Sequence, residues 1–125
     1  MKNKVKILVV DDDEIFQSLV RHGLEEKGFI TDGASDGDEA IKKVLDFQPD
    51  IILLDVNMPK KSGFDVLKEI KGKQENKNVK VIMCTGDNTI DIDKGFDLGA
   101  DDCIYKPFEV EVVISRINRI IERSM

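Results

Sequence analysis

Three aspartates hold the chemistry of this sequence. Asp11 and Asp12 close the apolar run Ile7-Leu8-Val9-Val10, and Asp55 closes a second run, Ile51-Ile52-Leu53-Leu54. Two buried strands that both end in acid are costly to assemble unless something cationic lies between them. If the two strands are parallel neighbours, their carboxylates converge at one edge of the sheet. A small set of oxygen ligands suits Mg2+ or Mn2+ better than zinc, which prefers His and Cys. Excess carboxylate charge around such an ion leaves open positions that phosphoryl oxygens can fill. Thr85, after a fourth apolar run, and Lys106, after a fifth, are expected at the same edge. A hydroxyl and an ammonium can each meet a phosphoryl oxygen and spread the charge of the transferring group. The nucleophile would be a carboxylate, and the acyl phosphate it forms hydrolyses readily, as a temporary mark should.

The elements that must position these groups are legible as five β-like runs alternating with five helix-like runs. The strands are read over 5–10, 29–33, 51–54, 79–83 and 103–105. The first helix is read over 14–27, with Ile15, Phe16, Leu19, Val20 and Leu24 inward and Gly28 as its stop. The second is capped by Ser35 or Asp36 and runs to about Phe47, with Ala40, Ile41, Val44 and Leu45 inward. The third spans 64–71, the fourth 89–98 and the last 109–123. The polar stretch 72–78 is read as a solvated connection, and Gly63 as a turn residue. Asp13 is the expected cap of the first helix, and His22, mid-helix, a surface or boundary residue away from the acids.

Strict alternation implies a parallel sheet with helices on both faces, and continuous apolar strands at Ile7 and Ile51 are those of a sheet covered twice. Right-handed crossovers give the doubly wound, flavodoxin-like strand order 2-1-3-4-5. Winding reverses between strands 1 and 3, and a ligand crevice lies at their carboxyl ends. Asp11, Asp12 and Asp55 occupy those ends, so topology and chemistry point to one place.

The 125 residues are about one domain's worth, read as a single unit over 1–125. Hydrophobic residues make up 41% and charged residues 35%, a globular balance. The net charge of -6 repels polyanions, which argues against nucleic acid or an anionic membrane as the main partner. No run approaches the roughly 20 apolar residues of a membrane span, and nothing resembles a signal peptide. Cys84 and Cys103 lie in apolar runs without CxxC spacing, which favours a reduced, cytoplasmic protein.

Val9-Val10-Asp11-Asp12, Leu54-Asp55-Val56-Asn57-Met58-Pro59, Cys84-Thr85-Gly86 and Lys106-Pro107-Phe108 resemble, as an ordered set across the chain, the signature of response-regulator receiver domains of two-component signalling. The resemblance implies Asp55 as phosphoacceptor and Asp12, Asp55 and the backbone carbonyl of Asn57 as metal ligands, with Asp11 acting mainly through a metal-bound water. It implies Thr85 as switch hydroxyl, Lys106 as phosphoryl partner and a cis Lys106–Pro107 bond. A histidine kinase or phosphotransfer protein would donate the phosphoryl group. A downstream protein would meet the fourth helix, fifth strand and fifth helix, where Val112 is expected to face outward. The domain would catalyse only its own phosphoryl transfer and autodephosphorylation.

Two positions depart from the family. Gly86 stands where alanine is common, both being small. The usual aromatic residue, three before the lysine, is here Cys103, and Tyr105 on the same strand face is expected to supply an aromatic contact nearby. Asn57 and Asp87 are expected to border the path of hydrolytic water. Two rivals remain at this point. A phosphohydrolase with an aspartyl nucleophile generally needs a second acid two residues on, where this chain has Asn57. A scaffold that is never phosphorylated has no use for the full acid, threonine and lysine set.

Overall fold

The computed structural model describes residues 4–87 and 92–124. Five parallel strands, β1 (Lys6–Val10), β2 (Ile30–Ala34), β3 (Ile51–Asp55), β4 (Lys80–Thr85) and β5 (Asp102–Tyr105), form one sheet in the order β2-β1-β3-β4-β5. Between and after them run α1 (Glu14–Glu26), α2 (Gly37–Phe47), α3 (Gly63–Lys71), α4 (Ile92–Asp97) and α5 (Val110–Ser124). The expected strand order and the alternation of strands with helices are therefore present.

Strand alternation divides the core into two layers. Leu8, Val10, Ile52 and Leu54 face Ala40 and Val44 of α2 and Val66, Leu67 and Ile70 of α3. Ile7, Val9, Ile51 and Leu53 face Val20 and Leu24 of α1 and Val113, Ile117 and Ile120 of α5. Each such side chain is worth about 1.5–3 kcal/mol of burial, so the two central strands are anchored on both faces up to their acidic ends.

Several boundaries differ from the sequence reading, for local reasons. β2 begins at Ile30 rather than Phe29, because the Phe29 N–H donates to the Leu24 carbonyl and closes α1, with Gly28 at φ +93°. β3 and β4 run on through Asp55 and Thr85, so the site residues are strand ends rather than loop residues. The 72–78 connection contains a short 3-10 turn at Gln74–Asn76. Of the expected fourth helix, Ile92–Asp97 is helical and residues 89–91 lie outside the described residues. Asp36, not Ser35, caps α2 by accepting from the Glu39 N–H at 2.8 Å.

Two helices bury narrower faces than their apolar residues suggested. In α1 the buried stripe is Gln17, Val20 and Leu24, while Ile15 and Leu19 are 77% and 63% exposed. In α2 it is Gly37, Ala40 and Val44, and Leu45 is 71% exposed. A helix laid on a flat sheet covers only a stripe at i, i+3 and i+7, and residues one further turn position away stay outside it. Val112 is half-exposed, as expected, and His22 is at the surface, its Nε2 2.7 Å from Glu26.

Candidate functional site

Strand ends deliver the acids to one rim. β1 stops at Asp11, whose N–H still donates to the Ala34 carbonyl of β2. Its Oδ1 accepts the Asp13 N–H at 2.9 Å, and Asp13 in turn caps α1 through the Ile15 and Phe16 N–H groups. Asp55 ends β3 in register with Cys84, and its Oδ1 accepts a long bond, 3.3 Å, from the Asn57 N–H. Lys106 follows β5 with its N–H on the Thr85 carbonyl, and the Lys106–Pro107 bond is cis.

Carboxylate oxygens of Asp11, Asp12 and Asp55 lie within 4.8 Å of one another. Lys106 Nζ is 2.6 Å from Asp11 Oδ2 and 3.6 Å from Asp55 Oδ1. Asp11 and Asp55 are buried whereas Asp12 is exposed, so the cluster opens to solvent on the side of Asp12. Burial, then the charge of Asp11, push the Asp55 carboxyl up to about 6, Lys106 only partly opposing them. Burial lowers the Lys106 ammonium's pKa, but the bond to Asp11 and the charges of Asp55 and Asp11 outweigh it and hold the group above its usual range. Among the described residues the Lys106 ammonium thus pairs with the two buried carboxylates, Asp11 and Asp55, and the cluster of three acids carries more negative than positive charge. An all-oxygen donor set of this span with a charge deficit fits a hard divalent cation.

Thr85 is fully buried at the end of β4, but its hydroxyl is engaged by its own loop, accepting the Asp87 N–H at 3.1 Å. Asn57 is exposed beside Asp55. The apolar cleft next to Thr85 is lined by Cys103 together with Phe64, Phe96 and Met83. Tyr105 is not among those residues; it is 47% exposed and lines a shallow outer hollow with Pro107, Phe108 and Val112. Phe64 of α3 and Phe96 of α4 supply the rings of the cleft beside Thr85, while Tyr105 shares the outer hollow with Cys103.

Two supporting residues escaped the sequence reading. Gln17 Nε2 donates to the Asp11 and Ala34 carbonyls, both at 3.0 Å, tying the ends of β1 and β2 together behind the acids. The signal was there: position 17 falls on the i, i+3, i+7 stripe with Val20 and Leu24, where a polar residue must find partners. Gly63 opens α3 rather than a turn. Its N–H donates to the Val56 carbonyl at 2.8 Å, and a Cβ there would strike the Asp55 carbonyl and come within 2.7 Å of Val56 Cα. Gly63→Ala is therefore expected to cost about 1–3 kcal/mol in urea unfolding and to weaken divalent binding, because backbone beside Asp55 must give way. An unchanged unfolding midpoint would contradict this packing.

A sequence model of the response regulator receiver domain matches residues 7–118. This chain belongs to that family. The receiver is 42% identical over 120 residues to the alkaline phosphatase synthesis transcriptional regulatory protein PhoP of Bacillus subtilis, covering 95% of this chain and 49% of that protein. It is 40% identical over 119 residues to the transcriptional regulatory protein CpxR of Escherichia coli, again covering 95% of this chain and 50% of that one. The receiver spans about half the length of these curated relatives. Among solved structures, the chemotaxis response regulator CheY4 of Vibrio cholerae superimposes with a TM-score of 0.88 at 30% identity, covering 94% of this chain and 99% of that one. A receiver is a phosphorylation-dependent signalling switch, a regulatory domain rather than a typical enzyme, and that is what this chain is. No helix among the described residues is long and apolar enough to cross a membrane.

Proposed function

We propose that the receiver takes a phosphoryl group from a phosphohistidine of a histidine kinase or phosphotransfer protein onto Asp55. A carboxylate oxygen of Asp55 forms the new bond to phosphorus as the bond from phosphorus to the donor's imidazole nitrogen breaks, and that imidazole keeps the electron pair. The observation that supports this best is the shared rim: three carboxylates within 4.8 Å and Lys106 Nζ between Asp11 and Asp55. Asp11, Asp12, Asp55 and the Asn57 carbonyl would hold Mg2+, or Mn2+, which supplies charge neutralisation and a meeting point for phosphoryl oxygens. Lys106 leaves its 2.6 Å bond with Asp11 and pairs with a phosphoryl oxygen on Asp55. Thr85 turns its hydroxyl from the Asp87 backbone toward another. Water later hydrolyses the acyl phosphate on the same residues, so the domain resets itself.

Moving such a switch from mostly off to mostly on needs about 5 kcal/mol of difference between the two states. Several charge-assisted contacts to the phosphoryl group are of that order. The Thr85 loop, α4 and β5 carry the change to a protein partner on the face of α4, β5 and α5. We place the chain in the cytoplasm, working as one receiver unit, with a protein and not nucleic acid as this unit's direct target. A scaffold that is never phosphorylated would not need Lys106 and Asp55 within reach of each other.

Intact mass after incubation with acetyl phosphate tests the proposal. A gain of one phosphoryl group is expected with Mg2+, a much smaller one in chelator, and none in Asp55→Asn. Undiminished labelling of Asp55→Asn would contradict the assignment of the acceptor, and equal labelling in chelator would contradict the role of the cation.

A further inference from the structure

Lys106 has a third neighbour at the rim besides its two acids. Its Nζ lies over the ring of Phe16, 4.5 Å from the centroid, inside the range of a cation–π contact. The ring is itself held in place: Phe16 and Phe108 meet edge to face, with centroids 5.4 Å apart and planes at 78°. Phe16 belongs to α1, whose start is fixed by the Asp13 cap, and Phe108 follows two residues after Lys106. The ammonium and the ring beneath it are thus tied to one another from both ends.

The two acids that hold Lys106 are those the proposed reaction claims for itself. Asp11 is wanted by the cation and Asp55 by the phosphoryl group, so both contacts change during transfer. A neutral aromatic face is claimed by neither. Resting on the proposed roles of Asp55 and Lys106, we infer that Phe16 is a positioning residue whose ring keeps the Lys106 ammonium above the acid cluster while its carboxylate partners are exchanged. Positioning of this kind lowers the barrier by sparing the ammonium a search for its place during transfer. A side chain of equal bulk without the π face would fill the core and leave the lysine free to wander into solvent.

Site-specific incorporation of mono-, di- and trifluorophenylalanine at position 16 of the full chain tests this. Fluorine withdraws charge from the ring face with little change in shape, so a purely structural ring would not respond to it. The rate of phosphoryl uptake from acetyl phosphate at saturating Mg2+ is expected to fall stepwise with each fluorine, and Phe16→Leu to be slower by roughly five- to tenfold. Mn2+ affinity, read separately by titration, is expected to stay within about twofold, since no acid has moved and the resting ammonium is still held by Asp11 at 2.6 Å. A flat fluorine series, or Phe16→Leu at the native rate, would overturn the inference while leaving the phosphoacceptor reading intact. Failure of the native chain to gain a phosphoryl group, or undiminished uptake by Lys106→Met, would instead overturn that reading and take the ring's role with it.

Discussion

Asp55→Asn is expected to make the protein more stable, not less, in chelator at pH 7.5, by roughly 2–3 kcal/mol or about 10 °C in melting temperature. The cause is the company Asp55 keeps. Burial and the charge of Asp11 push its carboxyl up to about 6, against an ordinary value of 3.8. A folded-state value above the unfolded one means that folding takes up a proton between those two pH values. The stability associated with Asp55 is therefore fully present below about pH 4, falls as pH rises toward 6, and is gone above it. An asparagine of the same shape has no charge to bury and should show no such segment. Thermal melts from pH 4 to pH 8 in chelator read this directly, the native chain falling away from the variant as pH rises. Mg2+ should then close most of the gap by stabilising the native chain alone. A variant no more stable than the native chain at pH 7.5, or parallel profiles from pH 4 to 7, would mean that the rim does not carry this charge strain.

The strain also explains why so much of the site was legible in the sequence. Val10-Asp11 and Leu54-Asp55 pass from fully apolar to acidic within one residue, and the chain keeps such a junction twice at equivalent strand ends only if the acids are used. Strand order follows from alternation and handedness, so the rim could be placed before any contact was known. What periodicity could not supply was the width of the helix faces. Ile15 and Leu19 fit an apolar stripe as well as Val20 and Leu24 do, and only packing on the flat sheet decides that Gln17 is inside and Leu19 outside. Gln17 and Gly63 escaped for the same reason, because their roles are contacts with backbone outside their own helices, at Ala34 and Val56, which no periodicity encodes. The state of Thr85 is a matter of energy rather than pattern. Its hydroxyl can satisfy itself two residues along its own loop, and no spacing rule tells when it leaves.

Lys106→Met should separate two quantities that a simple loss of structure would move together. In the resting site the ammonium neutralises Asp11 at 2.6 Å and competes there with an incoming cation. Removing it leaves the three carboxylates more negative, so Mn2+ binding is expected to tighten, by roughly tenfold at the effective dielectric of a site open on one side. The same change removes the donor that would meet the phosphoryl oxygens, and uptake from acetyl phosphate should slow by about 100-fold, the usual scale for losing one aimed charge in a transfer site. Without metal, Asp11 is left buried and unpaired, and about 3 kcal/mol of stability should go with it. Added Mn2+ should restore most of that, because the cation takes over the charge that the lysine balanced. Methionine keeps an unbranched stem of nearly the same length and loses the ammonium that lies over Phe16, so the comparison isolates the charge rather than the bulk. Weaker Mn2+ binding in the variant would show that Lys106 organises the acids instead of competing for them. Uptake at the native rate would remove the lysine from phosphoryl transfer altogether.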